Sequence, residues 1–141
     1  MDEKGRTAVP ARFRDVLAAS GDERIVLTTS LENCVVAYPM REWLEFEERL
    51  ARESSFNRKV AMLRRIYVSG AVECDLDKNG RVLVPASLRR HAGLSKEVLW
   101  AGMGRYAELW DRQRFESVTE EFLADPDERA ALLDSLAELG L

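Results

Sequence analysis

The sequence predicts a β-rich α+β protein built from two tandem copies of one small unit, with short helices flanking the strands. Three observations support this fold class. A thirteen-residue motif occurs twice, each copy is followed by two short apolar segments around a turn, and each copy then enters a helix-like stretch. The 141 residues suffice for one ordinary domain or for two very small ones that share a core.

The repeat is the strongest feature of the sequence. Residues 2–14 and 77–89 are identical at seven of thirteen positions at a constant offset of 75, where chance gives about one identity. The identical pairs are Asp2/Asp77, Gly5/Gly80, Arg6/Arg81, Val9/Val84, Pro10/Pro85, Ala11/Ala86 and Arg14/Arg89. Two copies predict a pseudo-two-fold pair and not a solenoid.

The second copy indicates the order of elements in a unit. Apolar runs at residues 67–76 and 81–84 predict two strands, and Asp77-Lys78-Asn79-Gly80 between them is a hairpin turn signal. Asp at the first turn position can accept bonds from backbone N–H groups, and Gly at the fourth tolerates positive φ. The turn residues that we expect to be structural are Asp2, Gly5, Asp77 and Gly80.

A short helix is expected after each turn. Pro85 suits the first turn of a helix over residues 86–92, and Gly93 would end that helix. The first copy has the same plan, with Pro10 at the start and Gly21 at the end.

These elements divide the chain into four parts. They are a first unit at residues 1–53, a basic helical connector at 54–65, a second unit at 66–115 and an acidic helical segment at 116–141. Longer helices are expected at 40–50 and 112–123, with Met40, Trp43, Leu44 and Leu50 on one face of the earlier one. Pro126 is expected to divide the acidic segment into two helices.

The charge of the chain is unevenly distributed. The net charge is −4, but residues 116–141 hold eight acids and one arginine, a net −7, which leaves +3 on residues 1–115. Because binding responds to the local field, this asymmetry permits contact with nucleic acid. The connector carries four basic residues that form either a solvated helical face or a DNA contact. They are Arg58, Lys59, Arg64 and Arg65.

The composition disfavours several classes of function. No apolar run approaches the roughly 20 residues that cross a bilayer, and the N-terminus lacks the apolar core of a signal peptide, so we expect a cytoplasmic protein with no membrane partner. Cys34 and Cys74 fit neither a disulfide framework nor zinc-site spacing, and His91 is the only histidine. We therefore expect no enzyme: no catalytic residues, metal ligands, cofactor or small-molecule substrate.

The duplicated pattern D-x-x-G-R-x-x-x-P-A-x-x-R resembles the MraZ family of the AbrB/SpoVT-like superfamily, as do residues 88–94 and 101–111. The resemblance implies two units that form an interleaved double-split β-barrel. It also implies a nucleoid-associated bacterial transcriptional regulator of the division and cell-wall gene cluster that includes its own gene. Such a regulator forms a ring-like homo-oligomer and binds short repeated G-rich boxes in double-stranded promoter DNA.

The resemblance places DNA binding on the basic residues of the D-x-x-G-R hairpins, which are Arg6 and Arg81 with Lys4 and Lys78 beside them. We expect Arg6 to contact bases, because its planar fork can bond guanine O6 and N7 in the major groove. We expect Lys4, Arg12 and Arg14 to assist at the DNA backbone.

Each arginine also has an alternative role. Arg6 could pair with Asp2, and Arg81 with Asp77, in order to lock the turn; for Arg81 this role and DNA contact are both open. For Arg14 and Arg89 the alternative is a charge on a helix surface.

The sequence departs from the family pattern before the first motif. Residues 66–76 precede the second motif as an expected strand, whereas only Met1 precedes the first, where family members usually carry about ten residues. We expect either a shortened start or a lost strand. A lost strand would expose unpaired backbone on its neighbour.

A second function is compatible with the superfamily, that of an antitoxin-like protein-binding module. Such proteins usually have one barrel motif followed by a disordered toxin-binding tail. This chain has two motifs and a leucine-rich tail, which points away from that function.

Overall fold

The computed structural model describes all 141 residues. The chain divides into two compact units, Met1–Asp111 and Arg112–Leu141. The strands are β1 (Arg6–Ala8), β2 (Ile25–Thr28), β3 (Val35–Pro39), β4 (Val72–Cys74), β5 (Arg81–Leu83), β6 (Val98–Gly102) and β7 (Ala107–Asp111). The helices are α1 (Ala11–Ala19), α2 (Met40–Arg52), α3 (Arg58–Leu63), α4 (Ala86–Ala92), α5 (Arg112–Ala124) and α6 (Pro126–Glu138), and a π-helical turn covers Arg64–Val68.

The helices agree with the sequence analysis. α4 occupies residues 86–92 as predicted, and Gly93 ends it with a φ of +59°. Pro126 stands in the first turn of α6, so the predicted division of the acidic segment is confirmed. On the predicted apolar face of α2, Met40 and Trp43 are buried, whereas Leu44 is 56% exposed. Phe46 packs with Trp43 and Tyr38 in the same apolar cluster.

The strands form a mixed architecture of two sheets, which confirms the α+β class. One sheet is the antiparallel pair β1-β5, and the other is a five-stranded antiparallel sheet in the order β4-β2-β3-β7-β6. Strands of both repeats contribute to each sheet, and the strands do not close into a barrel.

The strand registers obey the internal symmetry. β1 and β5 are centred on Thr7 opposite Val82, two positions that the repeat makes equivalent. In the larger sheet Val36 lies opposite Glu108, and each stands four residues before the start of a long helix, α2 or α5. The repeat therefore relates β1 to β5 and the pair β2-β3 to the pair β6-β7, whereas β4 has no counterpart.

The strands on either side of the second turn do not pair with each other, so the predicted hairpin is wrong. β4 pairs with β2, where Cys74 lies opposite Ile25, and β5 pairs with β1. The turn signal specifies a local chain reversal, but it does not select the partner of the strand that follows. Both central residues of the β1-β5 pair, Thr7 and Val82, are buried, so this pairing places one face of the ribbon against the core.

The predicted strand at residues 67–76 is also shorter than expected. Residues 64–68 are π-helical, and only Val72–Cys74 is a strand. The hydroxyls of Thr28 and Thr29 donate to the carbonyls of Tyr67 and Ile66, so side chains satisfy backbone groups that a ladder would otherwise bond.

One core joins the two repeats. Its buried members come in equivalent pairs, such as Val9 with Val84 and Phe13 with Leu88, and all four lie in a single cluster with residues of β2, β3 and β7. Each repeat alone buries only half of this cluster, so neither is expected to fold without the other.

β6 lies at an edge of the larger sheet and pairs only with β7. Its counterpart in the first repeat, β2, is covered on the same side by β4. Near β6, the Met1 ammonium group donates to the carbonyl of Lys96 at 2.6 Å. No strand of the structure pairs with the outer edge of β6.

A strand grafted ahead of Met1 is expected to cover β6. Met1 is equivalent to Leu76 in the repeat. A copy of residues 66–75 fused ahead of Met1 is therefore expected to pair with the outer edge of β6, as β4 pairs with β2. We expect at least tenfold slower amide hydrogen exchange in residues 98–102 and a higher urea midpoint. The matched control carries proline in place of the grafted copy of Glu73, and equal behaviour of the two fusions would contradict the prediction.

Candidate functional site

β1 and β5 form a two-stranded ribbon, and one face of it carries both motif arginines. Strand alternation directs Thr7 and Val82 into the core, whereas Arg6 and Arg81 lie on the other face with side chains 36% and 33% exposed. Arg6 lies opposite Leu83 and Arg81 opposite Ala8, so the arginines are placed diagonally across the ribbon.

The two turns before these strands have the same geometry. In the first, Asp2 Oδ1 accepts the N–H groups of Lys4 and Arg6 at 3.0 and 2.9 Å. In the second, Asp77 Oδ1 accepts those of Asn79 and Arg81 at 2.8 and 2.9 Å. The φ values of Gly5 and Gly80, +93° and +73°, lie in the region that glycine alone adopts without strain.

Each motif arginine also pairs with the aspartate of its own turn. Arg6 Nε donates to Asp2 Oδ2 at 2.6 Å, and Arg81 Nε donates to Asp77 Oδ2 at 3.0 Å. Arg81 Nη1 lies 3.9 Å from Asp2 Oδ2, which links the two pairs across the ribbon. These pairings engage Nε, and the terminal Nη groups of both arginines have no hydrogen-bond partner within the chain.

The aspartates are strong acceptors in this setting. The backbone N–H of Arg6, followed by its side chain, outweighs partial desolvation and lowers the pKa of Asp2 to about 2. The backbone N–H of Arg81 is the main cause that lowers the pKa of Asp77. Both carboxyl groups are therefore ionised at neutral pH, with charge available to orient the guanidinium groups.

Arg14 and Arg89 lie against the turns. A Cβ built on Gly80 would be 2.9 Å from Arg14 Nη1, and one built on Gly5 would be 2.9 Å from Arg89 Cζ and Nε. Arg89 is half-buried, and its Nε is buried without a hydrogen-bond partner. A simple charge on a helix surface is thus the wrong description of Arg89, because its guanidinium packs on a turn.

The other predicted contact residues are differently placed. Lys4 and Lys78 are exposed within the turns. Arg12, also exposed, lines a groove of about 620 Å³ with Phe13 and Trp100, beside β6. The structure therefore joins Asp2, Arg6, Asp77 and Arg81 in one network and leaves Arg12 outside it.

Sequence reasoning missed two parts of this site. It did not assign Arg89 to a turn, although the identity of Arg14 and Arg89 in the repeat was a signal that both had one function. Nothing in the sequence indicated the ion pair between Arg81 and Asp2, because it depends on which strands pair.

The remaining reactive groups do not assemble into a site. No three His, Cys, Asp or Glu side chains lie together in a manner that could hold a metal ion. Cys34 and Cys74 are free thiols, and burial raises the pKa of Cys34 to about 12. None of the helices combines the length and apolar character that crossing a membrane requires.

Comparison with known proteins gives consistent matches over the whole chain. The family model described as "MraZ protein, putative antitoxin-like" matches residues 1–66 and again residues 67–134. The chain is 39% identical to Transcriptional regulator MraZ of Thioalkalivibrio sulfidiphilus, over 97% of this chain and 93% of the relative. It is 39% identical to that of Moorella thermoacetica, over 100% and 94%, and 37% identical to that of Lachnoclostridium phytofermentans, over 100% and 92%.

The lowered pKa of Asp2 predicts a specific dependence of stability on pH. Because the pKa falls from 3.8 to about 2 on folding, ionised Asp2 stabilises the fold above about pH 4, and this contribution is lost as the pH falls towards 2. Asp2→Asn should therefore lower the urea midpoint at pH 6 and have little effect at pH 2. NMR titration of the Asp2 carboxyl group measures its pKa directly, and a pKa near 4 in the wild type would contradict the prediction. Glu3→Gln, which removes the same charge, is the control.

Proposed function

The chain belongs to the MraZ family, and from this we propose that it is a sequence-specific DNA-binding transcriptional regulator. The observation that carries the proposal is the β1-β5 ribbon, one face of which presents Arg6 and Arg81. A two-stranded ribbon fits the major groove of B-DNA, where each base pair displays a distinct pattern of donors and acceptors.

The turn pairing and DNA contact are compatible for the same arginine. Asp2 and Asp77 accept hydrogen bonds from the Nε groups, whereas the Nη groups of Arg6 and Arg81 donate none within the chain, although Arg81 Nη1 lies 3.9 Å from Asp2 Oδ2. An arginine held at Nε keeps one orientation, so less rotamer entropy is lost when its two Nη groups bond guanine O6 and N7. Both arginines have this geometry, and we assign base contact to both.

Lysines and further arginines supply the contacts to phosphate. The two turns with Arg14 and Arg89 contain six basic and three acidic side chains, a net charge of +3 in a chain of net charge −4. Lys4 and Lys78 are exposed at the turns, and we assign them, with Arg12, to the DNA backbone. Such contacts set register and a salt-dependent affinity without reading sequence.

The family resemblance supports a more specific setting. We propose that the chain acts in the cytoplasm at the nucleoid, on the division and cell-wall gene cluster, at repeated G-rich boxes. Because one ribbon offers few contacts, several subunits in a ring-like homo-oligomer would bind several boxes together. The two sheets shared by both repeats support the proposal that they are the halves of a double-split barrel.

Binding of the purified full-length chain to DNA from upstream of its own gene tests this function. Arg6→Ala and Arg81→Ala should each weaken specific binding by about 5- to 150-fold, which corresponds to the roughly 1–3 kcal/mol of one bidentate base contact. Lys4→Ala and Lys78→Ala should weaken binding to all sequences alike and reduce the salt slope by about 0.9 per contact.

The control for a lost positive charge is Arg52→Ala, since Arg52 is an exposed residue of α2 paired with Glu48 and lies outside the ribbon. It should leave specific binding unchanged. No binding of the wild type at low salt, or wild-type affinity of both Arg6→Ala and Arg81→Ala, would reject the proposal.

An antitoxin-like protein-binding function is the second candidate, because the description of the matching family model contains that term. Against it stand the two copies of the motif in one chain and the fact that residues 126–138 form a helix. Stoichiometric co-purification with a small protein encoded beside the gene, without binding to upstream DNA, would favour this function.

A further inference from the structure

Each turn of the candidate site is held by the other repeat. Antiparallel pairing of β1 with β5 brings the turn of one repeat beside the start of the helix that follows the strand of the other. Gly80 O accepts the N–H of Val9 at 3.0 Å, and Gly5 O accepts the N–H of Val84 at 2.9 Å. The aspartate of each turn therefore sets its conformation, whereas the opposite repeat sets its position.

An arginine supports each turn at the same point. Arg14 of α1 lies on Gly80 and Arg89 of α4 lies on Gly5, so closely that an added Cβ would be 2.9 Å from the guanidinium in both cases. A non-bonded atom essentially never comes this close to a Cβ, so either added methyl group would displace the arginine from its turn. Arg14 is an exposed, flexible side chain that can move away, whereas at Gly5 the carbonyl oxygen of Val84 is also only 3.0 Å from the added Cβ. The arrangement is reciprocal, because the helix of either repeat packs on the turn of the other.

The shape of arginine suits these contacts. A planar guanidinium can lie flat against a glycine Cα, whereas the compact ammonium of lysine cannot cover the same surface. Arg14 is further anchored by its Nε, which donates to Val9 O at 3.1 Å. Arg89 Nε is buried without such a partner, so its position is set by the packing of the guanidinium on Gly5.

We propose that Arg14 and Arg89 are positioning residues that fix the separation of the two DNA-contacting turns, each acting on the turn of the other repeat. We call this reciprocal packing, in which the arginine of one repeat lies on the turn of the other, the crossed support. The geometry alone supports it, and its consequence for DNA binding rests on the proposed function. Recognition groups must be held within about 0.5 Å of their productive geometry, and a guanidinium packed on each turn helps to meet this requirement at the two ends of a three-residue ribbon.

Amide hydrogen exchange of the full-length protein without DNA tests the crossed support. Arg14→Lys should speed exchange of the Gly80 and Arg81 amides several-fold and leave those of Gly5 and Arg6 unchanged, and Arg89→Lys should do the reverse. The controls are Arg12→Lys and Arg90→Lys, at exposed neighbours on the same helices. Faster exchange in the variant's own turn, in both turns or in neither would overturn the proposal.

A double substitution tests the contact at Gly80. Gly80→Ala should lower the urea midpoint more than Gly21→Ala, because Gly21 has a similar φ of +78° but no atom within 4 Å of its added Cβ. In an Arg14→Ala background, the effect of Gly80→Ala should shrink to that of Gly21→Ala. An effect of Gly80→Ala that is independent of Arg14 would show that the guanidinium does not support the turn.

DNA binding distinguishes positioning from direct contact of Arg14 with phosphate. If Arg14 positions the turn, Arg14→Lys and Arg14→Met should lose specific binding equally, at least fivefold, with an unchanged salt slope and unchanged non-specific binding. If Arg14 contacts phosphate, Arg14→Lys keeps its affinity and Arg14→Met lowers the slope by about 0.9, and positioning is wrong. Failure of the wild type to bind DNA rejects the proposed function, while the exchange experiment still decides the crossed support.

Discussion

The pairing of β1 with β5 is the constraint on which the rest of the site depends. It joins three residues of each repeat and buries Thr7 and Val82 at its centre. Because the strands are antiparallel, the pairing sets Arg6 and Arg81 on one face and brings each turn beside the helix of the other repeat. A strand of three residues gains little from its own ladder, so its stability comes from the core that both repeats complete.

Local features of the sequence predicted much of this structure. The turns, the helices after Pro10 and Pro85, and the two C-terminal helices follow from residues whose backbone preferences are strong and act over a few positions. The choice of strand partners was not predictable in the same way. β5 pairs with β1 and not with β4, and this choice depends on contacts between residues about 75 positions apart in the chain. Neither copy of the motif contains that information by itself.

The site was predictable where the repeat marked it. Identity between copies pointed to Arg6, Arg81 and the turn residues, because a duplicated side chain keeps its contacts when the backbone is duplicated. The same identity at Arg14 and Arg89 was harder to interpret, since a helix surface explains an arginine equally well. Only the structure, in which β1 of one repeat pairs with β5 of the other, shows that each of these arginines contacts the turn of the other repeat.

The two turns share a backbone geometry but differ in the side chains at their two central positions. Residues 2–6 carry no net charge, whereas residues 77–81 carry +1, because Glu3 and Lys4 occupy the places of Lys78 and Asn79. These four side chains are exposed, and the turn is held by Asp, Gly and backbone bonds, so folding does not constrain them. Two turns with the same backbone geometry can thus present different side chains to a ligand at the two ends of the ribbon.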